Sequence, residues 1–88
     1  MSNITFTEQG FEEYLFWQTQ DKKTLRRINL LLKDIARTPF EGLGKPEALK
    51  GNLSGYWSRR IDDTHRLVYK ISDMTIMVYQ CKGHYEDK

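Results

Sequence analysis

Glu47 and His84 bracket a set of basic side chains that includes Lys50, Arg59, Arg60 and Arg66. A carboxylate can take a proton and an imidazole can give one, which are the two halves of general acid–base catalysis. Guanidinium and ammonium groups hold a phosphate and offset the charge it gains under attack. Together these parts suit metal-free cleavage of an RNA phosphodiester, because RNA carries its own nucleophile, the 2′-hydroxyl. The base removes the hydroxyl proton, the cations relieve the transition state, and the acid protonates the departing 5′-oxygen. The products would be a 2′,3′-cyclic phosphate and a 5′-hydroxyl. Taken singly, each residue has a plainer role. Glu47 would be a solvated loop carboxylate, His84 a surface imidazole, and the arginines surface partners of Asp62 or Asp63. His65, at the start of a strand, fits a structural hydrogen bond better than a substrate contact.

These groups matter only if a fold gathers them. Residues 4–6 read as a short β-segment, and Thr7 followed by Glu8 opens a helix. Phe11, Tyr14, Leu15 and Trp17 form an apolar stripe at helical spacing that ends near Gln20. Asp21 is a second N-cap, and Leu25, Ile28, Leu32 and Ile35 carry the next helix to Thr38-Pro39. The connection between the helices is very short. Residues 40–55, with Gly42, Gly44, Pro46, Gly51 and Gly55, read as a long loop holding one helical turn around Glu47 to Lys50. Three strands follow, over 56–61, 65–71 and 75–81, joined at Asp62-Asp63-Thr64 and Ser72-Asp73-Met74. The expected class is α+β in the order β-α-α-β-β-β. A helical hairpin covers one face of a mainly antiparallel sheet, and the other face, with the loop, is left to build a site.

The 88 residues make room for one domain, 1–88, with one core. Hydrophobic residues at 39% and charged residues at 30% place it among globular rather than disordered chains. Cys81 is the only cysteine, so neither an intrachain disulfide nor a cysteine metal cluster can form. No apolar run is long enough for a membrane and the first residues do not read as a signal peptide, so the cytoplasm is the expected compartment. The formal charge of +2 is unevenly spread. Glu8, Glu12, Glu13 and Asp21 fall in the first helical segment, whereas Lys22, Lys23, Arg26, Arg27, Lys33 and Arg37 face Asp34 alone in the second. Two solvated helix faces pairing with each other explain this better than a nucleic-acid patch. Trp17, Trp57, Tyr56 and Tyr69 read as core or dimer contacts, Cys81 as a small core residue, and Met74 and Met77 as edge or core packing.

Several longer stretches carry a family resemblance. They are Arg37-Thr-Pro-Phe-Glu-Gly-Leu-Gly-Lys-Pro-Glu-Ala-Leu-Lys50, Asn52-Leu-Ser-Gly-Tyr-Trp-Ser-Arg-Arg-Ile61, His65-Arg-Leu-Val-Tyr69 and Cys81-Lys-Gly-His-Tyr85. With Tyr14-Leu-Phe-Trp-Gln18, they resemble the YoeB (Txe) toxins of the RelE superfamily of bacterial toxin–antitoxin systems, in order and spacing over nearly the whole chain. The resemblance implies a fold like that of microbial ribonucleases and cleavage of mRNA in the ribosomal A site. It also implies inhibition by a YefM-like antitoxin, operator DNA binding only through the antitoxin complex, and a homodimer. By matched motif it makes Glu47 the general base, His84 the general acid and Arg66 the transition-state stabiliser. Lys50 and Arg60 are then expected on phosphate and Tyr85 on the nucleotide, with no metal and no cofactor. Arg59 and Arg60 are adjacent, so only one of them can face the site, and the motif selects Arg60. Two departures stand out. Glu86-Asp87-Lys88 extend past the tyrosine that often ends the family, and Ala48 replaces a frequent proline, which would loosen the loop that places Glu47. Two alternatives remain. A ParE-like relative would poison DNA gyrase without nuclease chemistry, though such relatives generally lack the Glu/His pair. An inactive domain would serve only as corepressor with the antitoxin.

Overall fold

Two side-chain caps punctuate the first half of the chain. The computed structural model describes residues 3–85. After β1 (Asn3–Phe6), the Thr7 hydroxyl accepts the Gly10 amide at 3.0 Å and opens α1 (Glu8–Gln20). Asp21 then serves both helices. Its own N–H donates to the Trp17 carbonyl and closes α1, while its carboxylate accepts the Lys23 and Thr24 amides and opens α2 (Lys22–Arg37). Hydrogen bonds from Thr24, first from its hydroxyl and then from its amide, hold the Asp21 carboxyl below its ordinary pKa. The Thr7 cap contributes about 1 kcal/mol.

Beyond α2 come β2 (Glu47–Ala48), a 3₁₀ turn (Gly51–Leu53), β3 (Trp57–Arg60), β4 (Arg66–Ser72) and β5 (Thr75–Gln80). The sheet runs β1-β5-β4-β3-β2; β1 is parallel to β5 and every other pairing is antiparallel. The α+β class and the helical hairpin on one face agree with the sequence. The segment around Glu47 does not. It is a strand rather than a helical turn, and the turn lies further on. The cause is burial: Leu49 and Leu53 sink onto Val68, and the Leu49 amide donates to the Tyr56 carbonyl at 2.9 Å. This pulls Glu47 and Ala48 into extended register opposite Ser58 and Trp57. Ala48 therefore sits in a ladder rather than in the loosened loop expected of it. Glu86, Asp87 and Lys88 lie outside the described residues.

The core lies between the helices and the sheet. Trp17, Ile28, Leu31, Leu32 and Ile35 pack on Leu67, Tyr69, Ile76, Val78 and Cys81. The stripe on α1 is only partly used: Trp17 is buried, whereas Phe11 and Leu15 remain 49% and 42% exposed. The helix meets β5 closely at Gly10, where a Cβ would lie 2.6 Å from the Val78 carbonyl oxygen, so contact is confined to a face narrower than the stripe.

The loop after α2 is organised around a buried cation. Arg59 is fully buried and all five of its N–H donors are engaged. Nε donates to the Tyr69 hydroxyl, Nη1 to Asp34 Oδ2 at 2.6 Å and the Leu43 carbonyl, and Nη2 to the Thr38 and Glu41 carbonyls. Asp34 accepts the Leu43 amide at 2.9 Å as well. That amide, then Arg59, holds its carboxyl below the ordinary carboxylate pKa. Burial raises the Tyr69 hydroxyl pKa despite Arg59, and the hydroxyl donates to the Pro39 carbonyl at 2.6 Å. Gly42, at φ 117°, leaves room for Asp34, whose carboxylate a Cβ there would strike. The expected pairing of helix faces is absent: among the described residues no ion pair joins the acids of α1 to the bases of α2, and Asp34 turns inward to Arg59 with Arg37 beside it.

Candidate active site

Strand alternation sorts β3 into two sets. Trp57 and Arg59 point to the helices, and Ser58 and Arg60 to the open face. Residues directly opposed on neighbouring strands share a face. Glu47 opposes Ser58, and Arg60 opposes Arg66, so these four side chains rise together. Lys50, exposed, follows β2 and leads into the 3₁₀ turn. The plainer role for the arginines does not hold. The Arg66 guanidinium donates to the backbone carbonyls of Asp62 and His65, at 2.7 and 3.2 Å, and not to a carboxylate. The Asp62 carboxylate accepts the His65 and Thr64 amides instead. Burial alone would raise its pKa, but those two amides, together with nearby positive charge that includes Arg66, outweigh it and the net shift is downward. Arg60 is exposed and its amide donates to the Gly44 carbonyl at 2.7 Å. Among the described residues neither Arg60 nor Arg66 has an acidic side chain within ion-pair distance. Like charges directly opposed on a sheet are unfavourable, so this pair invites an anion.

The segment after β5 brings Tyr85 to the same face, with His84 just before it. The Tyr85 hydroxyl lies 3.2 Å from Ser58 Oγ and 3.4 Å from Glu47 Oε1, and its ring packs on Leu49, Leu53 and Val68. His84 is exposed, and its carbonyl accepts from the Gln80 amide nitrogen at 2.9 Å. Gln80 opposes Val68 because of a bulge at Val68/Tyr69, which inserts Tyr79 as an extra residue in β5. Glu47 thus meets Tyr85, the residue after His84, and among the described residues no hydrogen bond joins the Glu47 and His84 side chains. Sequence reasoning gave no role to Ser58 or Gln80. Ser58 was detectable, since it stands two residues before Arg60 and so on its face, whereas the bulge that aims Gln80 leaves no sequence mark. His65 does make the structural hydrogen bond expected of it, accepting the Gly83 amide on Nδ1 at 2.7 Å.

The aromatic residues divide between the two faces. Trp17 and Tyr69 are core, and Trp57 packs on Phe40. Tyr56 lies instead on the open side, against Tyr79 with Lys70 Nζ 5.3 Å from its ring centre. Met74 is exposed. Burial first, then Glu13, pushes the Cys81 thiol up to about 12, which makes it inert. Among the described residues no three His, Cys, Asp or Glu side chains converge as a metal site, and no helix is long and apolar enough to cross a membrane. An apolar groove of about 530 Å³, lined by Ile4, Phe6, Tyr14 and Leu32 among others, lies on the helix side, away from this constellation.

Residues 6–85 match the model of the YoeB-like toxin of bacterial type II toxin–antitoxin systems. The chain belongs to the YoeB toxin family. It is 61% identical to the toxin YoeB of Streptomyces coelicolor over 82 residues, 93% of this chain and 98% of that protein. The YoeB/ParE toxin from Agrobacterium tumefaciens superposes with a TM-score of 0.92 at 46% identity, covering 94% of this chain and 99% of the other. The Staphylococcus aureus YoeB, solved in a heterotetrameric complex with YefM and as a dimer, superposes with TM-scores of 0.89 and 0.88. Each S. aureus structure is 55% identical over 94% of this chain and 97% of that one. The YoeB fold is therefore present over nearly the whole chain.

Proposed function

We propose that this YoeB-family toxin is a ribosome-dependent endoribonuclease that cuts mRNA in the A site and so stops translation. The observation that carries the proposal is the shared open face, where Glu47, Ser58, Arg60, Arg66 and Tyr85 meet. Glu47 takes the proton from the 2′-hydroxyl, and the freed oxygen attacks the adjacent phosphorus. Arg66, with Arg60 and Lys50, offsets the negative charge on the phosphoryl oxygens. His84 gives its proton to the 5′-oxygen as the P–O bond breaks, leaving a 2′,3′-cyclic phosphate and a 5′-hydroxyl. No metal takes part, since the nucleophile belongs to the substrate. Tyr85 packs against the nucleotide and, through its hydroxyl, steadies the Glu47 carboxylate. General acid–base catalysis supplies about 10²–10⁴-fold, and the ribosome's presentation of the codon supplies the positioning.

The proposed partners follow the S. aureus relative, which forms a complex with YefM and a dimer. They are a YefM-like antitoxin, a second copy of the chain, and operator DNA through the antitoxin complex alone, all in the cytoplasm. Mapping RNA 5′ ends after induction in growing cells tests the reading. Cuts confined to A-site codons, with 5′-hydroxyl ends and dependent on Glu47, are expected. Intact messages alongside gyrase–DNA cleavage complexes would replace it with the ParE-like alternative, and growth unaffected by the intact toxin would leave only a corepressor.

A further inference from the structure

The segment that carries His84 and Tyr85 is tied down at consecutive points, and one tie depends on a side chain with a choice of protonation. The Trp17 indole donates to the Cys81 carbonyl at 2.9 Å, and the Glu13 carboxylate accepts the Cys81 amide at 2.8 Å. Two residues on, Gly83 is held by both of its polar groups: its carbonyl accepts the Arg66 amide at 3.0 Å, and its amide donates to His65 Nδ1 at 2.7 Å. Gly83 has φ 78°, so the chain turns here just before His84. A backbone amide can only donate. His65 Nδ1 must therefore be the unprotonated nitrogen, with any ring proton on Nε2. The ring cannot drift from this position. Its edge meets Trp17 at a centroid distance of 4.9 Å, and its own amide is fixed by Asp62 Oδ1 at 2.7 Å.

We propose that His65 is the positioning residue of the site: as the Nε2–H tautomer it accepts the Gly83 amide and thereby sets the turn that leads into His84 and on to Tyr85, whose hydroxyl lies 3.4 Å from Glu47. The inference rests on the ribonuclease reading above and deepens it. Among the described residues no hydrogen bond joins His65 to Glu47 or Tyr85, so it acts through the backbone and not on the reacting atoms.

Two substitutions separate its ring from its acceptor. His65→Phe keeps a ring for Trp17 and loses the acceptor, whereas His65→Asn places an amide oxygen close to the Nδ1 position. In single-turnover cleavage of mRNA on programmed ribosomes, His65→Phe is expected to lower the maximal rate by about 10²-fold with the half-saturating toxin concentration little changed, and His65→Asn to recover to within about tenfold of wild type. In parallel, amide exchange by NMR on the free protein should show Gly83 protection lost in His65→Phe and kept in His65→Asn. Where His65→Phe does not fold, His65→Leu, which fills part of the ring's space without an acceptor, takes its place with the same expectations. Cleavage by the acceptor-less variant at the wild-type rate overturns the inference, as does unchanged Gly83 protection. If wild-type protein cuts nothing on ribosomes, the ribonuclease reading fails by itself. Gly83 exchange and the His84 ring resonances then decide the positional claim: both altered in His65→Phe supports it, and both unchanged overturns it.

Discussion

Arg59 and Arg60 are neighbours of the same type, yet they live on opposite sides of the sheet. Arg59 is fully buried, with every donor matched by Asp34, the Tyr69 hydroxyl and three loop carbonyls. Arg60 stands on the open face opposite Arg66, with no carboxylate in reach among the described residues. The covered side spends its charge on structure: the guanidinium shapes the loop from Thr38 to Leu43 that returns the chain toward Glu47. On the open side, among the described residues, neither Arg60 nor Arg66 is in an ion pair. A single strand thus separates a cation the fold consumes from cations it holds in reserve.

Substitutions on the two sides should fail in different ways. The largest effect belongs to the open face. Glu47→Gln, His84→Gln and Arg66→Ala are each expected to lower cleavage on ribosomes by about 10²–10⁴-fold and to relieve growth arrest. Their thermal midpoints should stay at the wild-type value, because none of these side chains lies in the core. Full toxicity in all three would dissolve the distinction. Next comes Arg59→Leu, which strands the Asp34 carboxylate and the loop carbonyls. A fall in melting temperature on the order of 10 °C or more is expected, with amide protection lost first at Leu43. Arg60→Gln should do the reverse, weakening ribosome binding while stability changes by no more than about 0.5 kcal/mol.

The smallest effect is a pH dependence on the covered side. The Asp34 pKa is lowered in the fold from the ordinary value of 3.8, so its contribution is fully present above that value and is lost as pH falls below it. Melting temperature followed from pH 6 downward, as an order-of-magnitude guide to where carboxylates begin to protonate, should drop more shallowly in Asp34→Asn than in wild type. Equal slopes would mean that other carboxylates, Asp21 and Asp62 among them, dominate acid unfolding.

Much of the scaffold was legible because it rests on local chemistry. Thr7 and Asp21 announce the helix starts by their side chains, and Thr38-Pro39 the end of the hairpin. What escaped is tertiary in origin. A two-residue strand such as Glu47–Ala48 has no periodicity to read; it exists because Leu49 is buried and Tyr56 offers a carbonyl. The destination of Arg59 was hidden for a related reason, since most of its partners are main-chain oxygens that any residue would supply. Alternation alone says that Arg59 and Arg60 part company, and motif similarity said which way. The exposure of Phe11 and Leu15 reflects how narrowly α1 touches the sheet, which spacing cannot report. For the site itself, residue types suggested the proposed chemistry and alternation puts Ser58 on the face of Arg60, but the bulge that aims Gln80 depends on cross-strand register.

The facing Arg60 and Arg66 pair also makes the molecule a sensor of its own occupancy. Their mutual repulsion is relieved by whatever anion settles between them, and a ligand that prefers the folded form raises the unfolding temperature with its concentration. Heat resistance in the presence of short oligonucleotides, inorganic phosphate or acidic peptides therefore ranks occupants of this surface without any assay of cutting, and added salt should flatten the differences.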